Sequence, residues 1–171
     1  PYQSNDKACP INAYGRSKLS GEEALRQYAD RYILLRTSWV YAPWGHNFVR
    51  TMQSLGASRD SIRVVNDQEG RPTSALHLAE ATLDLLGAGA SGTYHLCDGG
   101  RCTWFEFAQA IMEESKLKCD VHPCTSEQYP QKATRPTWGV LDLSKTEELI
   151  GPRQHWRQWL QQSLQDFPHE S

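Results

Sequence analysis

The chain has 171 residues, of which 39% are hydrophobic and 22% are charged. This is the composition of an ordinary globular protein and not of a disordered or fibrous one. A formal net charge of −2 gives no electrostatic reason to expect nucleic acid or an anionic membrane as a partner. The sequence shows no apolar run near ~18 residues and no signal-peptide pattern. We therefore expect a soluble, cytoplasmic protein without a nucleic-acid or membrane partner.

The cysteines and histidines give no pattern of a metal site or of a disulfide framework. The cysteines are odd in number and contain no Cys-x-x-Cys pair; they are Cys9, Cys97, Cys102, Cys119 and Cys124. Reduced thiols are the default for such a set. The histidines, including His46 and His77, are scattered without metal-ligand spacing. We interpret them as structural or surface residues and predict no metal ligands.

The first third of the chain predicts a loop, a long helix, a strand and a second helix. Residues 1–12 lack periodicity, whereas residues 13–29 carry apolar side chains at helical spacing. The apolar run at 32–35 predicts a buried parallel strand that continues through residue 41. A loop at 43–47 then precedes a helix that contains Phe48, Val49, Met52 and Leu55.

Strands and helices continue to alternate along the rest of the chain. Thr103 followed by Glu106 predicts a capping box at the start of one of the helices. Strands are predicted at 62–65, 93–97 and 119–122, helices at 74–86, 103–115 and 155–167, and loops at 66–72 and 130–136. We expect Trp104, Trp156 and Trp159 to pack these helices. The alternation predicts an α/β fold with mainly parallel strand pairing.

Tyr14 and Lys18 are candidates for chemistry because they lie four residues apart on a predicted helix. This spacing places both side chains on one face, about one turn apart. A phenol is a weak acid with a pKa near ~10, and a neighbouring ammonium favours the phenolate. Such a pair can donate a proton to a carbonyl oxygen. The same spacing is also common by chance on solvated helix faces, so the pair alone leaves both interpretations open.

Five segments of the chain occur in the same order as in one enzyme family. They are NAYGRSKLSGE at 12–22, LRTSWVY at 35–41, NFV at 47–49, NDQEGRPT at 66–73 and RP at 135–136. The ordered set resembles the dTDP-4-dehydrorhamnose reductases, which are extended short-chain dehydrogenases/reductases. The resemblance covers essentially the whole chain, and the RTSWVY stretch is its most specific piece.

The resemblance implies the C-terminal part of a Rossmann-like extended short-chain reductase fold, with its small substrate-binding domain. Residues 1–45 would end the NAD(P)-binding part and contain the Tyr-x-x-x-Lys helix. Residues 46–171 would be mainly substrate-binding, with interleaved returns to the Rossmann sheet. The family reduces the 4-keto group of dTDP-4-dehydro-L-rhamnose with NADPH or NADH, and the product, dTDP-L-rhamnose, serves surface polysaccharide synthesis.

Carried over by motif, Tyr14 and Lys18 would be the catalytic pair and would also contact the cofactor. Tyr14 would protonate the sugar O4, and Lys18 would hydrogen-bond the nicotinamide ribose. Trp39 matches a family tryptophan that contacts the substrate, and a flat amphipathic ring suits a sugar face. Its alternative role is that of a core aromatic at the end of a strand.

Two further residues are expected to bind the nucleotide diphosphate. Asn47 lies where a helix begins, and helix starts offer free N–H groups to phosphate; an ordinary N-cap is the alternative. Arg135 is expected to pair with phosphate from the late loop, with a surface salt bridge as the alternative. Family members commonly have Arg-Arg-Pro there, whereas this chain has Thr134 before Arg135.

The family's Gly-rich cofactor turn has no counterpart before Tyr14. Residues 87–92 match G-x-G-x-x-G, but they follow a predicted helix and precede a predicted strand, so we predict a helix C-terminal turn. We therefore expect a truncated or split protein, with negligible reductase activity alone and a separate N-terminal half as its partner.

Several alternatives stay open at this point. The parent enzyme could be another nucleotide-sugar reductase or epimerase. Reductase-like folds also serve as regulatory subunits, as in the β subunit of methionine adenosyltransferase, and a folded homodimer or binding module without chemistry is a third option. Some relatives dimerise around Mg²⁺, although no acidic cluster in the sequence can be assigned to it. The residues that would select NADPH or NADH are not in this chain.

Overall fold

The computed structural model describes residues 1–165, which form six helices and eight strands. The helices are α1 (Ala13–Tyr28), α2 (Phe48–Ser58), α3 (Ala75–Gly87), α4 (Trp104–Glu114), α5 (Ser144–Ile150) and α6 (Trp156–Gln165). The strands are β1 (Ile33–Arg36), β2 (Val40–Tyr41), β3 (Ser61–Val65), β4 (Glu69–Gly70), β5 (Thr73–Ser74), β6 (Gly92–His95), β7 (Cys102–Thr103) and β8 (Asp120–Cys124).

Three of the four strand pairs in the described residues are parallel. β1 pairs with β6, β2 with β5 and β3 with β8, whereas β4 and β7 are antiparallel. Parallel strands need a crossover connection, which the helices between them supply. The predicted α/β class with mainly parallel pairing is confirmed. None of the helices formed by residues 1–165 is long and apolar enough to cross a membrane.

The prediction of one continuous strand through residue 41 is wrong. The backbone of Trp39 has φ 49°, in the left-handed region, which extended strands do not contain. This residue therefore separates β1 from β2, and the two strands have different partners. The break turns the chain away from β6 and brings Val40 beside Thr73 of β5.

Other differences concern short elements that carry little periodic signal. The sequence did not predict α5, which has no side-chain cap hydrogen bond at Leu143; the Asp142 carboxylate instead accepts from the Ser144 N–H at 3.1 Å. The two-residue strands β2, β4, β5 and β7 are too short to show alternation. The last helix begins at Trp156, and the predicted positions 166 and 167 lie outside the described residues.

Two separate hydrophobic cores hold the elements together. The larger one packs α2, α4, α6 and β3 around the fully buried side chains of Phe107 and Ile111. The smaller one joins α3 and β6 through Leu85 and Tyr94, with half-buried residues of β1 packed against it. The predicted capping box at Thr103 and Glu106 is present at the start of α4.

A buried polar network fastens α6 to α3. Asp98, which is fully buried, accepts hydrogen bonds from His77 Nδ1 and from the Ser74 N–H at 2.9 Å. Arg153 donates to the other nitrogen of His77, and the imidazole ring stacks on Trp159 with centroids 4.1 Å apart. Burial raises the pKa of Asp98, and the hydrogen bond from His77 opposes that rise. The structural role expected for His77 is confirmed.

The helix α1 is attached mainly by charge, because none of its residues is buried. Glu22 accepts two N–H groups of Arg36 in β1, at 2.8 and 2.7 Å, and one from Arg26 at 2.8 Å. The side chains of Glu22 and Arg36 are only 14% and 21% exposed. This two-pronged ion pair is the strong, directional kind, and it connects the helix that carries Tyr14 to the sheet.

We expect Glu22→Gln to lower the free energy of unfolding by about 1.5–3 kcal/mol, the range for hydrogen bonds to charged groups. The Arg36 guanidinium holds the pKa of Glu22 below its ordinary value, so the stabilisation is complete above the ordinary glutamate pKa. It disappears as the pH falls through the lowered value. Urea unfolding at several pH values measures this difference.

Glu23→Gln is the matched control, since Glu23 is exposed on the same helix and should leave stability within about 0.5 kcal/mol of the original. A Glu22→Gln protein that is as stable as Glu23→Gln near neutral pH would contradict the role of the ion pair.

Candidate active site

Tyr14 and Lys18 lie on one open face of α1, in its first two turns. Tyr14 is 72% exposed, and Lys18 Nζ lies 5.6 Å from the centroid of its ring. The ammonium is therefore close enough for an electrostatic interaction with the aromatic ring. Both side chains point away from the two cores, so a substrate or cofactor can reach the phenol and the ammonium together.

The start of α1 is fixed by the side chain of Asn12. Its Oδ1 accepts the Gly15 N–H at 2.8 Å, which is an N-cap hydrogen bond. Its Nδ2 donates to the carbonyl oxygen of Thr134 at 2.9 Å. A Cβ at Gly15 would lie 3.0 Å from the Cβ of Pro10, so glycine lets the preceding loop approach the helix closely. The bond from Asn12 to Thr134 brings the late loop, residues 130–136, beside the first turn of α1.

Arg135 follows Thr134 in that late loop and is exposed. The predicted absence of regular structure at 130–136 is confirmed. No ion pair of Arg135 is found within residues 1–165, so the surface salt bridge considered from sequence is not formed there. The guanidinium keeps its planar set of donors for an anion.

Trp39 is half-buried at the carboxyl end of β1. Its ring stacks on Trp104, the first residue of α4, with centroids 3.6 Å apart and planes 14° from parallel. Phe48 packs against Trp104 in turn, at 4.5 Å. A Cβ at Gly70 would lie 2.6 Å from the Trp39 ring. One face of the indole is thus covered by packing, and its position depends on Trp104 and Gly70.

Asn47 has the geometry of an ordinary N-cap. Its Oδ1 accepts the Arg50 N–H at 3.2 Å at the start of α2, and its Nδ2 donates to the carbonyls of Ala42 and Trp44 at 2.8 and 3.2 Å. These bonds use both ends of the amide. The N-cap role that sequence left as an alternative is present.

The Gly-rich segment 87–92 is a helix end and not a cofactor turn. Gly87 is the last residue of α3, Gly89 has φ 72°, and Gly92 opens β6 with φ 90°. Positive φ after a helix is a common way to terminate it. The prediction of a helix C-terminal turn is therefore correct.

Three contributors to this site were not identified from the sequence. Asn12 carried a recognisable signal, because it directly precedes a predicted helix and asparagine is a favoured N-cap. Trp104 was assigned to helix packing, which is correct, but its contact with Trp39 joins residues 65 apart and has no local signature. The close approach of Gly70 is equally non-local.

The donor set does not fit a metal ion within the described residues. No group of three or more His, Cys, Asp or Glu side chains that could hold a metal is formed by residues 1–165. We assign no Mg²⁺ site to them. For a nicotinamide cofactor, the residues that fit are Tyr14 and Lys18, whose exposed hydroxyl and ammonium can both bond a ribose.

Comparisons of this chain with known proteins identify one family and several related reductases. The RmlD substrate binding domain family matches residues 1–168. The spore coat polysaccharide biosynthesis protein SpsK of Bacillus subtilis is 44% identical over 167 residues, which are 97% of this chain and 58% of that protein. The dTDP-4-dehydrorhamnose reductase of Escherichia coli K12 is 36% identical over 86% of this chain and 53% of its own length.

A solved structure of the same family is also similar to this chain in its fold. It is the dTDP-4-dehydrorhamnose reductase of Bacillus anthracis in complex with NADP, with a TM-score of 0.92 and 35% identity. The match covers 96% of this chain and 59% of that one. This chain thus spans little more than half the length of these relatives. It is an α/β, Rossmann-like part of an extended short-chain reductase fold, and it belongs to the RmlD substrate-binding domain family.

Proposed function

We propose that this chain is the substrate-side part of a cytoplasmic dTDP-4-dehydrorhamnose reductase. The observation that carries the proposal is the exposed pair Tyr14 and Lys18 on α1, with 5.6 Å between Nζ and the ring centroid, in a chain of this family. The reaction adds a hydride to C4 of the 4-keto sugar and a proton to O4, which gives dTDP-L-rhamnose. The name of the Bacillus subtilis relative supports a role in surface polysaccharide synthesis.

Tyr14 serves as the proton donor in this reaction. Its hydroxyl hydrogen-bonds the keto oxygen and gives up the proton as negative charge develops there. NADPH or NADH, when bound, supplies the hydride. Lys18 stabilises the phenolate that remains on Tyr14, because the ammonium lies one helical turn away. Lys18 also holds the ribose of the cofactor through its remaining N–H groups.

The substrate is held by side chains outside α1. Trp39 offers its half-buried indole to the sugar ring, while Trp104 stacks on one of its faces. Arg135 binds the diphosphate in a two-pronged manner, as guanidinium groups do with phosphate. Asn47 contributes by ordering the start of α2, whose N–H groups face the diphosphate.

The remainder of the reductase fold is needed to complete the site. Within residues 1–165, β1 pairs only with β6, and α1 buries none of its residues. We infer that a parallel strand of the NAD(P)-binding half pairs with the open edge of β1 and that this half covers α1. In this division residues 1–45 complete the NAD(P)-binding part, and residues 46–171 are mainly substrate-binding, with α3 and β6 returning to the sheet.

The isolated chain should oxidise no NADPH with dTDP-4-dehydrorhamnose and should bind no NADPH, because most of the cofactor site lies in the other half. It should still bind dTDP weakly, and Arg135→Ala should weaken that binding roughly 5- to 30-fold, as expected for a lost charge-assisted hydrogen bond of ~1–2 kcal/mol. Absorbance at 340 nm and calorimetric titration measure the two properties. NADPH oxidation by the chain alone would contradict the proposal, as would equal dTDP binding by the Arg135→Ala variant.

Gly70→Ala tests the placement of Trp39, because the added methyl would lie 2.6 Å from the indole. We expect the ring to shift off Trp104. The near-ultraviolet circular dichroism of the stacked indoles should weaken, and affinity for dTDP-rhamnose should fall about 2- to 10-fold, the worth of one aromatic contact.

Gly87→Ala is the control for that substitution, since a Cβ there meets nothing within 4 Å. Affinity for dTDP itself should change little in either variant, because the indole is assigned to the sugar. An unchanged dTDP-rhamnose affinity in a Gly70→Ala protein with an altered spectrum would remove Trp39 from the substrate site.

A further inference from the structure

The side chain of Asn12 joins two segments that lie 122 residues apart in the chain. Its Oδ1 caps α1 through the Gly15 N–H, and its Nδ2 reaches the carbonyl of Thr134. Tyr14 lies two residues after Asn12, and Arg135 directly follows Thr134. One amide group therefore connects the helix of the proton donor to the loop of the proposed phosphate ligand.

The late loop has few other attachments. Before it, the segment 125–129 is tied by the contacts of Ser126 with Asp67 and of Gln128 with Arg63. After it, the carbonyl of Thr137 accepts the Glu69 N–H at 2.8 Å. Across residues 130–136, the bond to Asn12 is the one hydrogen bond to the rest of the described chain. Asn12 is thus the side chain that ties this loop to the start of α1.

Capping alone does not require asparagine. Serine and aspartate cap helices about as well, because only an acceptor oxygen is needed. Neither serine nor aspartate has an amide N–H that could also donate to the carbonyl of Thr134. Asn47 shows the same double use at α2, where its amide donates to the local carbonyls of Ala42 and Trp44. At Asn12 the amide N–H instead donates to a distant carbonyl, that of Thr134. A residue that only caps the helix would not connect α1 to this loop.

We propose that Asn12 is a positioning residue, which holds the loop of residues 130–136 against the start of α1 and so places Arg135 to bind the phosphates of the nucleotide. This inference rests on the proposed function for the identity of the ligand. The coupling between the helix and the loop stands on its own geometry and can be measured without any ligand.

The first experiment separates the two hydrogen bonds of Asn12 by substitution in the 171-residue chain. Asn12→Asp and Asn12→Ser keep the cap and lose the donor, whereas Asn12→Ala loses both. Backbone ¹⁵N relaxation should show residues 131–135 ordered in the original and flexible, with order parameters below ~0.6, in all three variants. Hydrogen exchange of the Gly15 amide should accelerate only in Asn12→Ala. Asn47→Asp, the control, should loosen residues 42–46 and leave 131–135 unchanged.

The second experiment tests whether Asn12 acts through Arg135. Asn12→Asp and Asn12→Ser should each weaken dTDP binding about 2- to 5-fold in the original background. They should have no further effect in an Arg135→Ala background, whereas a general loss of structure would weaken binding in both. Agreement between the charged and the neutral variant excludes a direct charge effect of the aspartate.

Three results would overturn the inference: a loop that is already flexible in the original chain, a loop that stays ordered in Asn12→Asp, or equal losses of affinity with and without Arg135. A chain that binds no dTDP at all would instead refute the proposed ligand, and the relaxation data would still decide the coupling.

Discussion

The helix that carries Tyr14 and Lys18 buries none of its residues, so polar contacts decide where these two side chains lie. Most helices of globular proteins are held by an apolar face. Here the ion pair of Glu22 with Arg36 fixes the body of α1 to β1, and the amide of Asn12 fixes its first turn to the late loop. Every proposed function of the chain depends on this helix being correctly placed.

This arrangement leaves the proposed proton donor exposed on a helix that buries none of its residues. The larger core organises the surroundings of Trp39 and the start of α2, where Trp39 stacks on Trp104 and Asn47 caps the helix. Among the described residues, α1 has no buried side chain and β1 pairs with β6 alone. Hydride transfer needs water to be excluded and the reacting groups to be held together, and the other half of the fold would supply both.

The fold was predictable where periodicity and capping are local. The helix α4 followed from Thr103 and Glu106. The alternation of elements predicted mainly parallel strand pairing, which three of the four strand pairs show, but not which strands pair. The interruption at Trp39 was not predictable, because an apolar, β-prone run gives no sign of a positive φ. The helix α5 was missed since its start lacks a side-chain cap at Leu143.

The candidate site was proposed from an ordered set of motifs and much less from physical chemistry alone. The four-residue spacing predicted that Tyr14 and Lys18 share one face of a helix. The catalytic role proposed for them came from the resemblance to the family. The contacts that position the site, such as Asn12 with Thr134 and Trp39 with Gly70, join distant segments and have no signature in a single sequence. Asn47 is a motif residue that we expected to contact the diphosphate. Its amide instead caps α2 and bonds the carbonyls of Ala42 and Trp44.

The most direct test of the central claim is to join this chain to an NAD(P)-binding half. The NAD(P)-binding half of the Bacillus anthracis reductase, fused in front of this chain, provides a cofactor site, and NADPH oxidation with dTDP-4-dehydrorhamnose is then measured for the fusion and for its Tyr14→Phe variant. We expect the fusion to turn over and Tyr14→Phe to lower kcat by roughly 10²- to 10⁴-fold, with dTDP binding retained. A fusion that binds NADPH and dTDP but shows no reduction, or a Tyr14→Phe variant with full activity, would contradict the assignment of Tyr14 as the proton donor.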